Sequence, residues 1–188
     1  NLSNCSQDST TYSNPPPDDI NILPTGDYTI GTYLFPGWHL GDYINFYSYR
    51  PGTNKEFVTD LQQRWEPIKN ALSYINGADQ PKKPLLNYYS DSNPVAVDWM
   101  IKWGLEHGVS LFVYDWYWHN PSEGGVFLNK TLEEGFLKSK YLSKYSDKIK
   151  FAVMWANHYN YNYSNSTQDL LGMMDYVIKN YFKYGQYL

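Results

Sequence analysis

Aromatic and hydrogen-bonding side chains recur together at four places in the sequence, each directly after a run of apolar residues. The four places are Trp38-His39, Tyr89-Ser90-Asp91, Asp115-Trp116-Tyr117-Trp118 and Trp155-Ala156-Asn157-His158. A sugar ring has an apolar face of C–H bonds that an indole or phenol ring can cover. Its rim of hydroxyls can be hydrogen-bonded by His, Asn and Asp. The pattern therefore indicates a carbohydrate cleft rather than a cofactor cleft.

Asp115 is the carboxylate that the sequence places at the mouth of a buried strand. A charge there is costly unless it is paired or functional. Three roles remain open: an acceptor for sugar hydroxyls, a catalytic carboxylate, or a cap of the following turn. Glycoside hydrolysis needs two carboxylates about 5–10 Å apart, and Asp91 and Glu123 are the possible partners. Asp115 is the best catalytic candidate, and the pair is unassigned.

Three histidines, His39, His119 and His158, fall just after predicted strands. Together with Asp115 they could bind a metal ion. Because they lack a tight ligand spacing such as His-x-x-x-His, hydrogen bonding to hydroxyls is the favoured role, and we expect no metal and no cofactor. Nucleophilic Ser or Cys chemistry has no support, since the sequence has no Gly-x-Ser-x-Gly and its single cysteine is Cys5.

The elements that must position these residues alternate between strand and helix. Strands are predicted over residues 28–35, 83–89, 109–114 and 150–155, and helices over 54–74, 94–107, 132–143 and from Ser166 onward. Such alternation predicts a parallel α/β sheet whose strands all end at one active edge. Two architectures compete: an open doubly wound sheet and the N-terminal half of a (β/α)8 barrel with four parallel strands. The bulky turn at 35–39 favours the barrel half, because a phosphate-binding first turn needs glycines.

Composition and the start of the chain bound the remaining possibilities. The 188 residues suit one domain, and a net charge of -4 argues against a nucleic-acid partner. No apolar run approaches the roughly 20 residues that span a bilayer. We expect residues 1–26, rich in Ser, Asn and Pro, to be a flexible tether and residues 27–188 to be the domain. The residues around Cys5 resemble the end of a lipoprotein signal. The equal alternative is that Cys5 is a tail cysteine with no role. We expect an extracytoplasmic protein with a possible lipid anchor.

Four ordered blocks, at residues 31–39, 88–103, 112–118 and 151–158, resemble the glycoside hydrolase family 99-like proteins, including the WbsX-type proteins. The resemblance implies a (β/α)8 barrel acting on an oligo- or polysaccharide, with family 99 proper endo-acting on α-mannosides. It also implies catalytic glutamates on later strands, beyond residue 188. The substrate-lining residues that it implies are Trp38, His39, Tyr89, Asp115, Trp116, Trp118, Asn157 and His158.

Three functions follow as hypotheses. The first is a hydrolase-like domain, the second a non-catalytic glycan-binding surface lipoprotein, and the third a polysaccharide-cluster glycosyltransferase. Against the third, the sequence has no Asp-x-Asp and no Gly-rich phosphate loop. Half a barrel would leave its first and fourth strands unpaired at the sheet edges. We therefore expect a continuation of the chain, or a second chain, to complete the sheet.

Overall fold

The computed structural model describes residues 14–39, Trp65, 84–118, 125–157 and 166–188. Several sequence predictions lie outside these residues: the helix over 54–74 apart from Trp65, the lipid anchor at Cys5, and the roles of His119, Glu123 and His158. Within the described residues, no helix is long and apolar enough to cross a membrane.

Strands and helices alternate through the described part of the chain. They are β1 (Gly31–Leu34), α1 (Pro94–Glu106), β2 (Leu111–Trp118), β3 (Val126–Phe127), a π-helix (Thr131–Phe136), α2 (Lys140–Lys144), β4 (Lys150–Trp155) and α3 (Thr167–Asn180). The predicted caps form: the Asn93 side chain accepts from the Val95 amide and the Ser166 side chain from the Asp169 amide. The predicted helix over 132–143 is divided, since Ser139 starts a new helix after the π-helix.

The sheet has β2 at its centre. β1 and β4 both pair with β2 in parallel, so that Tyr33, Val113 and Ala152 stand in register across the three strands. The two-residue β3 pairs antiparallel with the carboxyl end of β2. The predicted α/β alternation around a parallel sheet is therefore confirmed, with three parallel strands among the described residues.

The predicted second strand is wrong over its described residues, 84–89. This segment forms turns, with the Asn87 amide bonded to the Pro84 carbonyl and Asn87 at a φ of 61°. Pro84 has no N–H for a sheet ladder, and the left-handed conformation of Asn87 interrupts an extended run. β1 therefore pairs directly with β2 in the described part of the chain.

Helices cover one face of this sheet. Phe112, Tyr114 and Trp116 alternate along β2 and are all buried on that face. They join one cluster with residues from all of the helical elements, including Ile101 of α1 and Phe136 of the π-helix. Each such fully buried side chain contributes about 1.5–3 kcal/mol, so this layer holds the fold together.

The opposite face of the sheet is open. Tyr33 is 69% exposed and Met154 is 38% exposed. The register places Val113 and Ala152 beside Tyr33, and Asp115 beside Met154. None of these residues belongs to the large core cluster of the described chain. We call this surface, formed by Tyr33, Val113, Asp115, Ala152 and Met154, the open face.

Residues 14–26 run along the helices. The Leu23 amide donates to the Leu105 carbonyl at 3.0 Å, and Ile20 and Ile22 pack against the core cluster. The division of the chain into a tether over 1–26 and a domain over 27–188 stays a prediction.

Candidate functional site

The carboxyl ends of the three parallel strands define one edge of the sheet. Residues 35–39 follow β1, Trp118 ends β2, and residues 156–157 follow β4. Because the strands run parallel and pair with one another, these positions lie at the same edge. We call it the carboxyl edge. The sequence-predicted residues Trp38 and Asn157 both lie here, and Asn157 is exposed.

Asp91 and His39 form a buried pair at this edge. The Asp91 Oδ1 lies 2.8 Å from His39 Nδ1, and the Trp38 amide donates to Asp91 Oδ2 at 2.9 Å. The Asp91 amide in turn donates to the Trp38 carbonyl at 3.0 Å. Asp91 is 2% exposed and His39 is 0% exposed. These bonds attach the segment around Asp91 to the end of β1, although that segment is not a strand.

The contacts of His39 indicate which ring nitrogen carries the proton. A carboxylate oxygen accepts but cannot donate, so Nδ1–H donates to Asp91. Thr131 Oγ1 lies 3.2 Å from the same nitrogen, which brings the start of the π-helix to the pair. His39 was predicted to contact substrate; in the structure it is fully buried against protein groups, and its contact with substrate stays a prediction.

Three aromatic side chains stand beside the pair, and we call Trp38, Trp65 and Tyr89 the edge aromatic group. The Trp38 and Trp65 rings stack with centroids 4.1 Å apart and an interplanar angle of 15°. Tyr89 meets Trp65 edge-on at 5.2 Å, and Trp65 Nε1 donates to the Tyr89 carbonyl at 3.0 Å. Each such ring pair is worth about 0.5–1.5 kcal/mol beyond its buried area. Trp38 and Tyr89 keep part of their surface in solvent.

Tyr89 is neutral at physiological pH. Burial, with the charge of Asp91 adding to it, raises the pKa of Tyr89 to about 12. The same two causes hold the pKa of the buried Tyr114 well above its ordinary value. A neutral phenol can both donate and accept a hydrogen bond, which suits a sugar hydroxyl.

Asp115 lies within β2 and not after it. The predicted strand ends at residue 114, whereas the observed strand continues to Trp118, because Asp115 and Trp116 pair with Met154 and Trp155 and the last two residues pair with β3. Asp115 therefore lies on the open face, one residue beyond Tyr114, which pairs with Leu34 at the end of β1. It is partly buried there.

Trp116 and Trp118 lie on the helix-covered side. They are 2% and 5% exposed. Trp116 Nε1 donates to the Tyr181 hydroxyl at 2.9 Å, and Trp118 Nε1 donates to Asp169 Oδ1 at 3.0 Å. The structure thus places these two predicted substrate-lining residues in the core, with their indole N–H groups bonded inside the protein.

Sequence reasoning missed a second polar cluster, centred on Glu133 of the π-helix. The hydroxyls of Tyr176 and Tyr181 each donate to Glu133 Oε1 at 2.7 Å. Burial, together with Glu133, raises the pKa of both phenols far above the ordinary value. No spacing in the sequence links Glu133 to these two tyrosines, which lie 43 and 48 positions further along the chain. Thr131 was also missed, whereas Asp91 was predicted as a hydrogen-bonding residue of the cleft and a possible catalytic partner, and not as the buried partner of His39.

Among the described residues, no group of three or more His, Cys, Asp and Glu side chains is placed to hold a metal ion. The structure brings together Trp38, His39, Tyr89 and Asp91 at the end of β1. It places Asp115 on the open face and Asn157 at the end of β4.

The fold and this edge define an α/β protein with aromatic and hydrogen-bonding groups gathered at the carboxyl edge of a parallel sheet. A family model described as Glycosyltransferase WbsX matches residues 53–188. The match covers most of the chain, and the chain belongs to this family. The resemblance to WbsX-type proteins is thereby confirmed, and membership of this family indicates a carbohydrate-active protein. The comparison with curated proteins and the comparison with solved structures gave no match.

Proposed function

We propose that the chain binds an oligo- or polysaccharide at the carboxyl edge, above the adjoining open face, and that this site serves glycoside hydrolysis. One observation carries the proposal. The edge aromatic group is fixed beside the Asp91–His39 pair at the end of β1, with parts of Trp38 and Tyr89 in solvent. Family membership supports the carbohydrate class of the ligand.

The rigidity of this surface favours binding. Trp38 is held by Trp65 stacking and by two backbone bonds to Asp91. A ring that is already fixed loses little conformational freedom when a sugar stacks on it, so more of the contact energy appears as affinity. Asn157, exposed at the end of β4, offers an amide to the hydroxyl rim.

The distribution of helices supports the barrel half as the architecture. A doubly wound sheet carries helices on both faces. Here the core cluster lies on one face, and Tyr33 is 69% exposed on the other. In a (β/α)8 barrel the helices form the outer ring and the uncovered face lines the interior. On this reading the open face, with Asp115, faces the barrel interior below the glycan.

The substrate class that we propose is an α-mannoside-containing glycan, as the family 99-like resemblance implies. Asp115 is the carboxylate of the described chain that we assign to a hydroxyl of the bound sugar or to the chemical step. The buried Asp91 is assigned to positioning, because both of its oxygens already accept hydrogen bonds from Trp38 and His39.

Glycosyl transfer is the second candidate function. The description of the matching family favours it. A transferase takes its sugar from an activated donor, and the sequence offers neither an Asp-x-Asp nor a Gly-rich phosphate loop to hold one. An assay with sugar nucleotides, read as release of the free nucleotide, separates the two reactions.

The proposal is tested by measuring glycan binding and product release separately. We expect α-mannan oligosaccharides to bind the wild-type chain by titration calorimetry. Trp38→Ala and Asn157→Ala should each weaken binding by about fivefold or more, since a lost stacked ring or hydrogen bond is worth roughly 1 kcal/mol or more. Tyr28→Ala is the matched control, because Tyr28 is 78% exposed and precedes β1 at the opposite edge.

Product release is read with the wild-type chain and, in parallel, with a longer protein that extends beyond residue 188. The hydrolytic role is supported if the wild type hydrolyses the glycan and Asp115→Asn reduces the rate. Asp147→Asn, at the surface, is the control and should leave the rate unchanged. Glycan binding without product release would contradict the hydrolytic role and would support a non-catalytic glycan-binding protein. Equal binding by Trp38→Ala, Asn157→Ala and wild type would contradict the location of the site.

A further inference from the structure

A proline-rich segment of the chain lies across helices α1 and α2. Three aromatic side chains donate hydrogen bonds to its carbonyl groups. Trp99 Nε1 donates to the Asn14 carbonyl at 3.0 Å, the Tyr141 hydroxyl donates to the Pro17 carbonyl, and the Tyr145 hydroxyl donates to the Asp18 carbonyl at 2.8 Å. We call the surface formed by Trp99, Tyr141, Lys144 and Tyr145 the proline groove.

The spacing of the bonded carbonyls matches a polyproline II helix. Proline fixes its own φ near −65° and pushes the preceding residue into extended conformations, so Pro15-Pro16-Pro17 favours polyproline II. That helix has three residues per turn. The carbonyls of Asn14 and Pro17 are three residues apart and therefore project to the same side. Trp99 and Tyr141 donate hydrogen bonds to these two carbonyls.

One proline of the run is inserted between the two bonded carbonyls. Pro16 is buried, whereas Pro15 and Pro17 are exposed. The prolines border a cavity of about 360 Å³ that Asp98, Lys140 and Tyr141 also line. A buried proline between two carbonyl contacts is how aromatic-lined grooves recognise proline-rich ligands.

The donor at the centre of the groove is held in place. Asp98, 1% exposed, accepts from Ser139 Oγ at 2.5 Å and from the Tyr141 amide at 3.1 Å. Burial raises the pKa of Tyr141 to about 12, with the nearby Tyr145 and acidic residues adding to it. The phenol therefore keeps its proton and donates at physiological pH.

The groove also contacts the acidic residue that follows the prolines. Lys144 Nζ lies 3.1 Å from Asp18 Oδ1 and also donates to the Asp18 carbonyl. The Asp18 side chain is 94% exposed, so this pair adds little affinity. The pair fits the observed direction of the segment, because a reversed segment would place its acidic residue near Trp99 and away from Lys144.

We infer that the proline groove is a binding site for proline-rich segments of the form Pro-Pro-Pro-Asp, with residues 14–18 as its resident ligand. A proline-rich segment of another chain takes this place when the resident segment is withdrawn. A linked ligand acts at an effective concentration in the millimolar range, so the resident segment outcompetes a free peptide. The inference does not depend on the proposed glycan site.

The test uses a labelled peptide with the sequence of residues 11–20 and the full-length chain. In one variant, Pro15, Pro16 and Pro17 are all replaced by glycine, which removes the polyproline preference of the resident segment and leaves the groove intact. Fluorescence anisotropy is expected to show the peptide binding this variant at least about tenfold more tightly than the wild type, because the wild-type groove is occupied. Pro24→Gly, an exposed proline outside the groove, is the matched control and should behave as the wild type.

Two further measurements complete the test. Adding Tyr141→Phe to the triple-glycine variant removes one hydrogen-bond donor and should weaken peptide binding by up to about tenfold. A peptide with its prolines replaced by glycine should bind the triple-glycine variant far more weakly than the original peptide does. Circular dichroism checks that each variant is folded. Equal binding of the peptide to wild type and to the triple-glycine variant, or binding to neither, would overturn the inference.

Discussion

At the scale of single residues, the Asp91–His39 pair shows how a buried charge can be tolerated. A carboxylate removed from water is costly unless hydrogen bonds replace its hydration. Asp91 accepts from the Trp38 amide and from His39, one donor to each oxygen. The pair therefore fixes the backbone that carries Trp38, and its loss should disturb both stability and the edge aromatic group.

Asp91→Asn tests this role. Asparagine keeps the size of the side chain, but its NH2 group faces a donor, either the Trp38 amide or His39 Nδ1–H. We expect the free energy of unfolding to fall by about 2–3 kcal/mol, the usual value of bonds to a buried charge. Urea unfolding followed by circular dichroism measures the change.

The control is Asp175→Asn. Asp175 pairs with Lys179 one helical turn away, and both side chains are more than half exposed. Such a pair contributes less than about 0.5 kcal/mol. Equal losses in the two variants would show that Asp91 does not hold the carboxyl edge.

The buried tyrosines predict how stability depends on pH. Tyr89 and Tyr141 have pKa values raised from 10.0 to about 12, in both cases chiefly by burial. Between these values the unfolded chain releases the phenol protons while the folded chain keeps them, so the unfolded state binds fewer protons and stability falls as pH rises. The contribution is complete below pH 10 and is lost as pH rises toward about 12.

Urea unfolding across this range measures the fall, and tyrosinate absorbance reports the ionisation. Tyr141→Phe should make the decline between pH 10 and about 12 less steep, whereas Tyr33→Phe, at an exposed position with the same chemistry, should leave the slope unchanged. A stability that stays flat to pH 12 would contradict the burial of these phenols.

At the scale of the elements, the π-helix connects the carboxyl edge to the helix layer. Its Thr131 reaches His39, its Glu133 accepts from two tyrosines, and its Gly135 lies against the segment of Asp91. π-Turns are rare and often occur at functional sites. The close approach at Gly135 leaves no room for a side chain.

Two glycine-to-alanine substitutions provide a direct comparison. A Cβ at Gly135 would lie 2.4 Å from the Asp91 carbonyl oxygen, which is backbone and cannot rotate away. Gly135→Ala should cost about 1–3 kcal/mol of unfolding free energy and lower glycan affinity. Thermal unfolding and titration calorimetry measure the two effects.

Gly172→Ala is the matched control in α3. A Cβ there would have no neighbour within 4 Å. Because glycine is a poor helix former, the substitution should stabilise the protein by about 0.5–1 kcal/mol. Destabilisation by Gly172→Ala, or tolerance of Gly135→Ala, would contradict the described packing.

The sequence predicted the type and order of the strands and helices better than the residues at which they begin and end. β4 was predicted with its observed bounds because apolar residues fill it without interruption, and the caps at Asn93 and Ser166 marked two helix starts. β2 is longer than predicted because Asp115 was treated as a strand terminator, although pairing on both sides outweighs one polar residue. The turn at 84–87 has a local signal in Pro84 and Asn87, but the apolar and aromatic residues between and after them were given more weight. The π-helix has no local pattern that distinguishes it.

The candidate site was likewise predicted only in part from the sequence. Parallel alternation was enough to place Trp38 and Asn157 at one edge. It could not place Trp116 and Trp118 in the core, because strand alternation assigns a face only once the covered face is known. The bonds from Glu133 to distant tyrosines depend on tertiary packing, which spacing in the sequence does not encode.

At the scale of the whole molecule, apolar surface remains uncovered beside β4. On α3, Leu171, Met174 and Ile178 are each about half exposed, and Phe182 continues the same stripe. Four large apolar side chains along one stripe form a larger surface than scattered single residues would give. Association of two chains through this stripe would bury it.

We predict that the 188-residue chain by itself associates through this stripe. Sedimentation velocity should show a weight-average mass that rises with concentration, and Met174→Lys with Ile178→Lys should lower it toward the monomer, since two charges cannot be buried unpaired. Thr167→Lys and Lys183→Ala, at exposed positions of α3 and of the turn after it, are the controls. A concentration-independent monomer would contradict this prediction.

The most direct test of the glycan site follows the seven tryptophan indole N–H signals by NMR while an α-mannan oligosaccharide is added. Trp38→Phe assigns the Trp38 signal. We expect the Trp38 signal to shift most, whereas those of Trp116 and Trp118, bonded inside the core, should shift little. Shifts confined to Trp99 and Trp103 on α1, with Trp38 unchanged, would contradict a glycan site at the carboxyl edge.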